Sequence, residues 1–397
     1  MIDTLPEKIR ELGVTAFNEP VGVLNHIGHF QFTYLEDATH NVSLRMDRKK
    51  QTQYNSGAVH RVFTQHLPEG YVRRFIHEKL ERYADVNDMY FLALQGDKGI
   101  GNLGYVSPDM PIIHSERMSL DEVLHWSGKE NLFASLLEKY YLNGIASGVQ
   151  PKVLLELDHG PYIQQRFIVK SYDSEYTHLP INEYVCMKAA QAMGLDVPDV
   201  WLSEDGERFV IDRFDVKSDG TKLAVEDFTT LLDREKYVGS YESVLKLVSV
   251  ATNAEEQLNK IYSYIVFNCL IGNGDAHLKN FSLLYDSVNP TPELSPLYDV
   301  TNTMIYPTLD NRLALKLGGT KEPADRQRLL KLAEPYYIDA NAIIDKTADG
   351  IRDYLQQSTT HKRMPNLKDT IMKTVGRGAS KQYTTKPFPE SGNKKFK

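Results

Sequence analysis

Only two cysteines, Cys186 and Cys269, occur in 397 residues, which excludes a disulfide framework. Both lie in apolar helical patterns and read as small buried hydrophobes. No Cys/His spacing suited to zinc is present. The longest apolar run, from Tyr264 to Ile271, is broken by Asn268 and falls far short of the ~20 residues a membrane helix needs. The opening MIDTLPEKIRELG is charged and has no apolar centre, so no signal peptide is expected. Internal repeats are lacking, and NGIASGVQPK (143–152) is neither a G-x-G-x-x-G nor a Walker loop. These absences predict a reduced, soluble, cytoplasmic protein without a membrane partner.

What is there is ordinary in amount and uneven in placement. Apolar residues make up 41% and charged residues 25%, which excludes a mainly disordered, collagen-like or coiled-coil chain. At ~100–200 residues per domain, the length predicts two or three domains. The net charge of −7 hides an asymmetry: residues 362–397 carry a local +8 and the chain before them −15.

Residues 1–106 read as a small α+β unit. VGVL and FQFTYL look like strands, a helix is expected after Pro68-Glu69-Gly70, and YFLALQGDKGIGNLGYV reads as a hairpin. Residues 107–130 are polar and read as a connection. VLLEL (153–157) and YIQQRFIVKSY (162–172) alternate as strands around the turn Asp158-His159-Gly160-Pro161. Residues 181–193 fit an amphipathic helix closed by Gly194, and FVIDRF (209–214) reads as a strand. Beyond Val225 the pattern is mostly helical, through 241–272 and 325–355. Strand-rich 131–220 followed by helix-rich 221–361 is the order expected of a bilobed α+β domain.

The sharpest chemistry lies in IGNGDAHLKNFSLLYD (271–286) and SPLYDV. Asp275 precedes Asn280 with four residues between them, and Asp299 follows nineteen residues after Asn280. Phosphoryl transfer from ATP needs a carboxylate to orient or deprotonate the acceptor hydroxyl. It also needs an amide oxygen and a second carboxylate to hold Mg²⁺. Asp275 suits the first role and Asn280 with Asp299 the second. The competing reading is a surface turn, since Gly272, Asn273, Gly274 and Asp275 all favour turns. Within the loop, His277 is expected to fix its shape by a hydrogen bond. Lys279 either neutralises the transferring phosphoryl group or is solvated.

Two further sets accompany the loop. Lys170 ends an alternating strand and Glu183 opens the following helix, the order in which kinases place a phosphate-binding lysine and its glutamate partner. NGIASGVQPK (143–152) precedes the first strand, where Gly144 and Gly148 allow close approach of backbone amides to phosphate, Ser147 adds a hydroxyl and Lys152 adds charge. Taken alone this stretch would be a plain helix-to-strand loop. Between the lobes, the backbone near Asp212, Arg213 and Phe214 is the expected contact for adenine.

Together these pieces resemble the HipA family of serine/threonine kinases, toxins of HipBA-type toxin–antitoxin modules, over about residues 20–320. HRVFTQHLPEGYVRRFI and GIGNLGYV look like the family's N-terminal subdomain, and SGVQPKVLLEL like its phosphate loop. FIVKSY, NEYVCMKAAQAMGLDVPDV and VIDRFD look like its ATP lobe; GNGDAHLKNFSLLYD and LSPLYDV look like its catalytic lobe. The resemblance implies a bilobed protein-kinase-like fold, with Asp275 as catalytic base, Asn280 and Asp299 as Mg²⁺ ligands and Lys170 on the phosphates of ATP. It also implies a small helix-turn-helix antitoxin of HipB type that brings operator DNA. The target it implies is a translation component such as an aminoacyl-tRNA synthetase.

Three positions depart from the family pattern. Ile145 stands where many relatives carry an autophosphorylated serine, so Ser147, the only hydroxyl in the loop, becomes the expected autophosphorylation site. Mass spectrometry after incubation with Mg·ATP should find phosphate on Ser147; labelling elsewhere with Ser147 unmodified refutes this. Ala224 replaces a frequent His, and Asp212 a Glu.

Two rivals share some of these features. A small-molecule phosphotransferase of aminoglycoside-kinase type uses similar catalytic residues, but LPEG and its subdomain argue against it. A non-catalytic co-repressor acting with a DNA-binding antitoxin would not need Asp275, Asn280, Asp299 and Lys170 together. The basic segment 362–397 lies beyond the resemblance and is expected to be a partly disordered, solvated tail.

Overall fold

The computed structural model describes residues 5–111, 119–126, 135, 152–158, 164–171, 176–252, 254–288 and 290–381. The N-terminal region forms one antiparallel sheet from β1 (Glu11–Ala16), β2 (Glu19–His26), β3 (Phe30–Tyr34), β4 (Gln53–Ser56) and β5 (Leu103–Val106), in the order β4-β3-β2-β1-β5. Phe17 and Asn18, at φ +52° and +65°, make the two-residue β1–β2 turn, since positive φ at both central positions matches the strand twist. Helices α1 (Arg61–Thr64), α2 (Gly70–Leu80), α3 (Asp88–Gln95) and α4 (Leu120–Leu124) accompany the sheet; Phe63, Ile76, Phe91 and Val123 share its buried core with Leu24 and Phe32.

The hairpin reading of YFLALQGDKGIGNLGYV is corrected here. YFLALQ belongs to α3, and only LGYV is a strand. A short apolar run does not distinguish a fully buried helix from a strand. The deciding signals are local: Asn87 caps the helix by accepting from Tyr90 N–H, and Gly96 at φ +57° ends it.

A second sheet follows, ordered β6-β7-β9-β8, from β6 (Lys152–Asp158), β7 (Gln164–Lys170), β8 (Val200–Leu202) and β9 (Phe209–Asp212). Alternation of side chains sends its residues into two cores. Phe167, Val169 and Val210 enter the core of the N-terminal region, while Ile168, Phe209 and Ile211 pack toward α5 (Leu179–Ala192). The sheet is therefore sandwiched between the first subdomain and α5. The same period places Lys170 on the α5 side with Ile168.

The remainder is mostly helical. A three-stranded sheet of β10 (Ala224–Asp227), β11 (Ser282–Tyr285) and β12 (Glu293–Leu294) adjoins α6 (Phe228–Leu232). Helices α7 (Tyr241–Thr252), α8 (Glu255–Ile271), α9 (Arg326–Ala333), α10 (Ala340–Gln357) and α11 (Leu367–Ala379) pack around α8, which is buried from Ile261 to Ile271 except at Ser263.

Helix α11 corrects the tail boundary. Leu367, Ile371 and Val375 are buried in the same core as α8, so the basic segment begins as part of the helical lobe. Its net charge masked an apolar stripe at i, i+4, i+8. Residues 382–397 lie outside the described residues. Among the described residues, no helix is long and apolar enough to cross a membrane.

Candidate active site

The loop after α8 is shaped by a helix ending. Gly272 takes φ +85°, where a Cβ would meet Asn302 Nδ2 at 2.7 Å, so the chain turns sharply there. Asn273 Nδ2 donates to Asn268 Oδ1 (2.7 Å), and Asn273 Oδ1 accepts Asp275 N–H (3.0 Å). Gly274 N–H donates to Thr303 Oγ1 (2.8 Å). The surface-turn reading therefore describes the backbone correctly and misses its anchoring: the turn is tied to α8 and to residues 302–303.

Asp299 sits at φ +61°, a left-handed conformation that a non-glycine residue adopts under local constraint. Three residues on, Asn302 is fully buried; its N–H donates to Asn182 Oδ1 (2.8 Å) and its Nδ2 donates to Ile271 O (2.7 Å). Asn182 Nδ2 donates back to Asn302 O (2.8 Å). Since Asn182 precedes Glu183 on α5, one asparagine pair sets the spacing between Glu183, Asp299 and the end of α8.

Lys170 then closes the set. Its buried ammonium donates to Glu183 Oε1 and, at 2.8 Å, to Asp299 Oδ1. Burial alone would depress its pKa; the two carboxylates outweigh this and hold it above the usual lysine value. Asn280 Nδ2 donates to Asp299 Oδ2 at 3.0 Å, and Asn280 Oδ1 accepts His277 N–H at 2.9 Å. Lys170, Asp299, Asp275, His277 and Lys279 line one cavity of about 490 Å³ between the sheets, together with Asp212, Arg213 and Phe214.

Asp275 opens to this cavity and accepts a hydrogen bond from Tyr237 Oη at 2.8 Å. Desolvation by the surrounding protein pushes its carboxyl above the usual range, while His277 and the Tyr237 hydroxyl oppose the rise. His277 packs its ring edge-on against Tyr237 (centroids 5.1 Å apart), and burial lowers its pKa, favouring the neutral ring. The loop-fixing bond expected of its side chain is made by its backbone N–H. Lys279 is neither solvated nor alone: its ammonium pairs with Glu69 of the N-terminal region.

All three interlobe residues line the cavity, and two of their amides are already engaged. Asp212 N–H donates to Asp199 O (2.9 Å), and Arg213 N–H to Asp212 Oδ1 (2.9 Å), so both amides are committed inside the protein. Burial pushes the Asp212 carboxyl up to about 6. The Arg213 guanidinium turns away to Asp215 and to the carbonyls of Lys98 and Gly99. Phe214 stacks its ring near Tyr298, 5.3 Å between centroids. Gly144, Ser147 and Gly148 lie outside the described residues, and Lys152 is described only as the first backbone position of β6.

The donor chemistry suits a small hard cation. Asp299 brings a carboxylate; Asn280 turns its amide nitrogen to that carboxylate and its Oδ1 to His277 N–H, so the amide oxygen has one lone pair left for a cation. Among the described residues, no three His, Cys, Asp or Glu cluster as a protein-only cage. Mg²⁺ characteristically takes one or two carboxylates and completes its shell with phosphate and water.

Sequence reading missed Tyr237, Asn182, Asn302 and any role for Glu69. No spacing announces them, because each acts on a partner 31–210 residues away.

Comparison with known proteins bears on the whole chain. Residues 12–106 match the HipA N-terminal domain and residues 144–361 the HipA-like C-terminal domain. The Sinorhizobium fredii protein Y4dM, which carries the provisional name of a kinase, is 30% identical over 208 residues, 47% of this chain and 50% of that one. The serine/threonine-protein kinase toxin HipA of Shewanella oneidensis is 24% identical over 229 residues, 50% of this chain and 49% of that one. The chain thus spans about half the length of the curated relatives it matches. In solved structures, HipA from a Shewanella oneidensis complex of HipA, HipB and operator DNA superposes with a TM-score of 0.67 at 18% identity. That match covers 92% of this chain and 97% of that one, and it shows a shared α+β, kinase-like fold. With both domain models matched in order along one chain, this protein belongs to the HipA family.

Proposed function

We propose that this protein is an ATP-dependent kinase that phosphorylates hydroxyl groups of proteins, and that it acts as a growth-inhibiting toxin restrained by a HipB-type antitoxin. The observation that carries the reading is the buried Lys170 held by Glu183 and Asp299 in the cavity that Asp275 lines. An ammonium kept charged by two carboxylates is suited to the α- and β-phosphates of ATP. Asp275 faces the acceptor. As the acceptor oxygen bonds to the γ-phosphorus and the bond to the β,γ-bridging oxygen breaks, the hydroxyl proton passes to the Asp275 carboxylate and ADP leaves. Asn280 and Asp299 would hold Mg²⁺, which would supply positive charge against the phosphates. Lys279 lies on the same wall and offers positive charge to the phosphoryl group in flight.

The partner reading rests on the relative seen with HipB and operator DNA. DNA contact would then come through the antitoxin complex. The serine/threonine preference and the acceptor protein rest on the named relative alone.

Purified protein with Mg·[γ-³²P]ATP should label itself or a protein in a cell extract, and its expression should arrest growth. Asp299→Asn should lower labelling on the order of tenfold or more and relieve the arrest. Equal arrest by both forms, or no labelling by the wild type, rejects the kinase-toxin reading.

A further inference from the structure

Among the described residues, the N-terminal subdomain's ion pair to the catalytic loop comes from Glu69. Glu69 stands at the N-cap position of α2, yet its carboxylate makes no capping bond to its own helix. It extends instead to Lys279 and, at 3.3 Å, to Lys236, which precedes the Asp275-bound Tyr237. The turn that aims it is built for the purpose: Pro68 restricts the entry, and Gly70 adopts φ +53°, a region open to glycine. All three charged side chains are only about one-quarter exposed, and all three line the cavity of Lys170 and Asp275. Burial would raise the Glu69 carboxyl, but the two lysines hold it below its usual range, so it stays ionised.

A lysine ammonium on a four-carbon stem is positioned only if something restrains it. Here the restraint comes from a different domain, 210 residues away in sequence. We propose that Glu69 is a positioning residue for phosphoryl transfer, holding Lys279 and Lys236 at the acceptor side of the cavity so that catalysis depends on the N-terminal subdomain. The inference rests on the kinase reading above, and it gives the L-P-E-G turn a chemical role.

The test is a double-mutant cycle in the full-length protein, read as phosphate transferred from Mg·ATP to the protein itself. Glu69→Gln should lower kcat on the order of tenfold, since small misplacements of a catalytic charge are expensive in rate. KM for ATP should stay within about twofold, because Lys170, Glu183 and Asp299 are untouched. The decisive arm compares Lys279→Ala with Lys279→Ala/Glu69→Gln. If Glu69 acts through Lys279, the double variant is no slower than Lys279→Ala alone. Additive losses, or a Glu69→Gln kcat equal to or above wild type, overturn the proposal. A wild type that transfers no phosphate defeats the kinase reading instead. Thermal unfolding within a few degrees of wild type identifies a folded Glu69→Gln; should it not fold, Glu69→Asp, which keeps the charge and shortens its reach, takes its place in the same cycle.

Discussion

Replacing Asp275 by Asn is expected to slow phosphoryl transfer by about 10²–10⁴-fold, the usual contribution of a general base, with little change in stability or in binding of Mg·ATP. The substitution removes the proton acceptor and almost nothing else. An asparagine Oδ1 can still accept from the Tyr237 hydroxyl, which now lies 2.8 Å from Asp275 Oδ1. The backbone of residue 275 remains tied through Asn273. Lys170 keeps its pairs with Glu183 and Asp299, and Asn280 its bond to Asp299, so nucleotide affinity should persist. Transfer rates at saturating ATP, with binding measured by calorimetry, check both halves. A loss below threefold would remove Asp275 from the role of base.

The pH dependence follows from the same carboxylate. A base works ionised, so activity must fall as pH drops through its pKa. Desolvation raises that pKa above the ordinary carboxylate range, against the opposing pull of His277 and Tyr237. The acid limb of the rate profile should therefore lie above the ordinary aspartate value, and Asp275→Asn should abolish it along with the rate.

How much of this was legible in the chain depends on the range over which each feature acts. Asp275, Asn280 and Asp299 stand out because they fall within one turn-and-hairpin segment at a spacing a site requires. Lys170 and Glu183 could be paired because strand parity and a short connection bring a β7 end to the first turns of α5. The strand read at 209–214 and the helix read at 181–193 followed from periodicity, and the elements lie at Phe209–Asp212 and Leu179–Ala192. YFLALQ failed because burial on all sides erases periodicity, and α11 was hidden by the charge of its exposed face. Tyr237, Glu69 and Asn302 carried no local signal at all. Their roles arise only when segments far apart in sequence are packed, and the residues themselves are types that serve equally well as solvated surface. Arg213 shows the converse. It sits in the expected interlobe strand, but its side chain answers to the first subdomain.

That side chain carries the second large effect. Asp215→Ala is expected to destabilise the folded chain by about 3–5 kcal/mol, as removal of one member of a buried ion pair does. Arg213 and Asp215 side chains are each 2% exposed and meet in a two-point fork, Nε to Oδ1 at 2.9 Å and a terminal nitrogen to Oδ2 at 2.6 Å. Two further guanidinium N–H groups go to Lys98 O and Gly99 O, and Asp215 Oδ2 also accepts Gly101 N–H at 2.6 Å. Without Asp215 the guanidinium stays buried with only carbonyls to face, and Gly101 N–H loses its acceptor. The pair Arg213→Met/Asp215→Leu should be less destabilised than Asp215→Ala, because it removes the charge along with its partner. Denaturant unfolding at neutral pH compares the three. Burial would raise the Asp215 carboxyl, but Arg213 and the Gly101 N–H hold it below its usual value, so its stabilisation is complete above the unfolded-state pKa. It is lost only as pH falls through the depressed folded value. The gap between wild type and Asp215→Ala should thus be constant through neutral pH and narrow only in strong acid. A gap below about 1 kcal/mol at neutral pH would mean that the fork does not hold the 98–101 turn to the interlobe strand. Docking of the N-terminal subdomain on the ATP lobe would then rest on the shared core of Phe167, Val169 and Val210 with Trp201 packed against it.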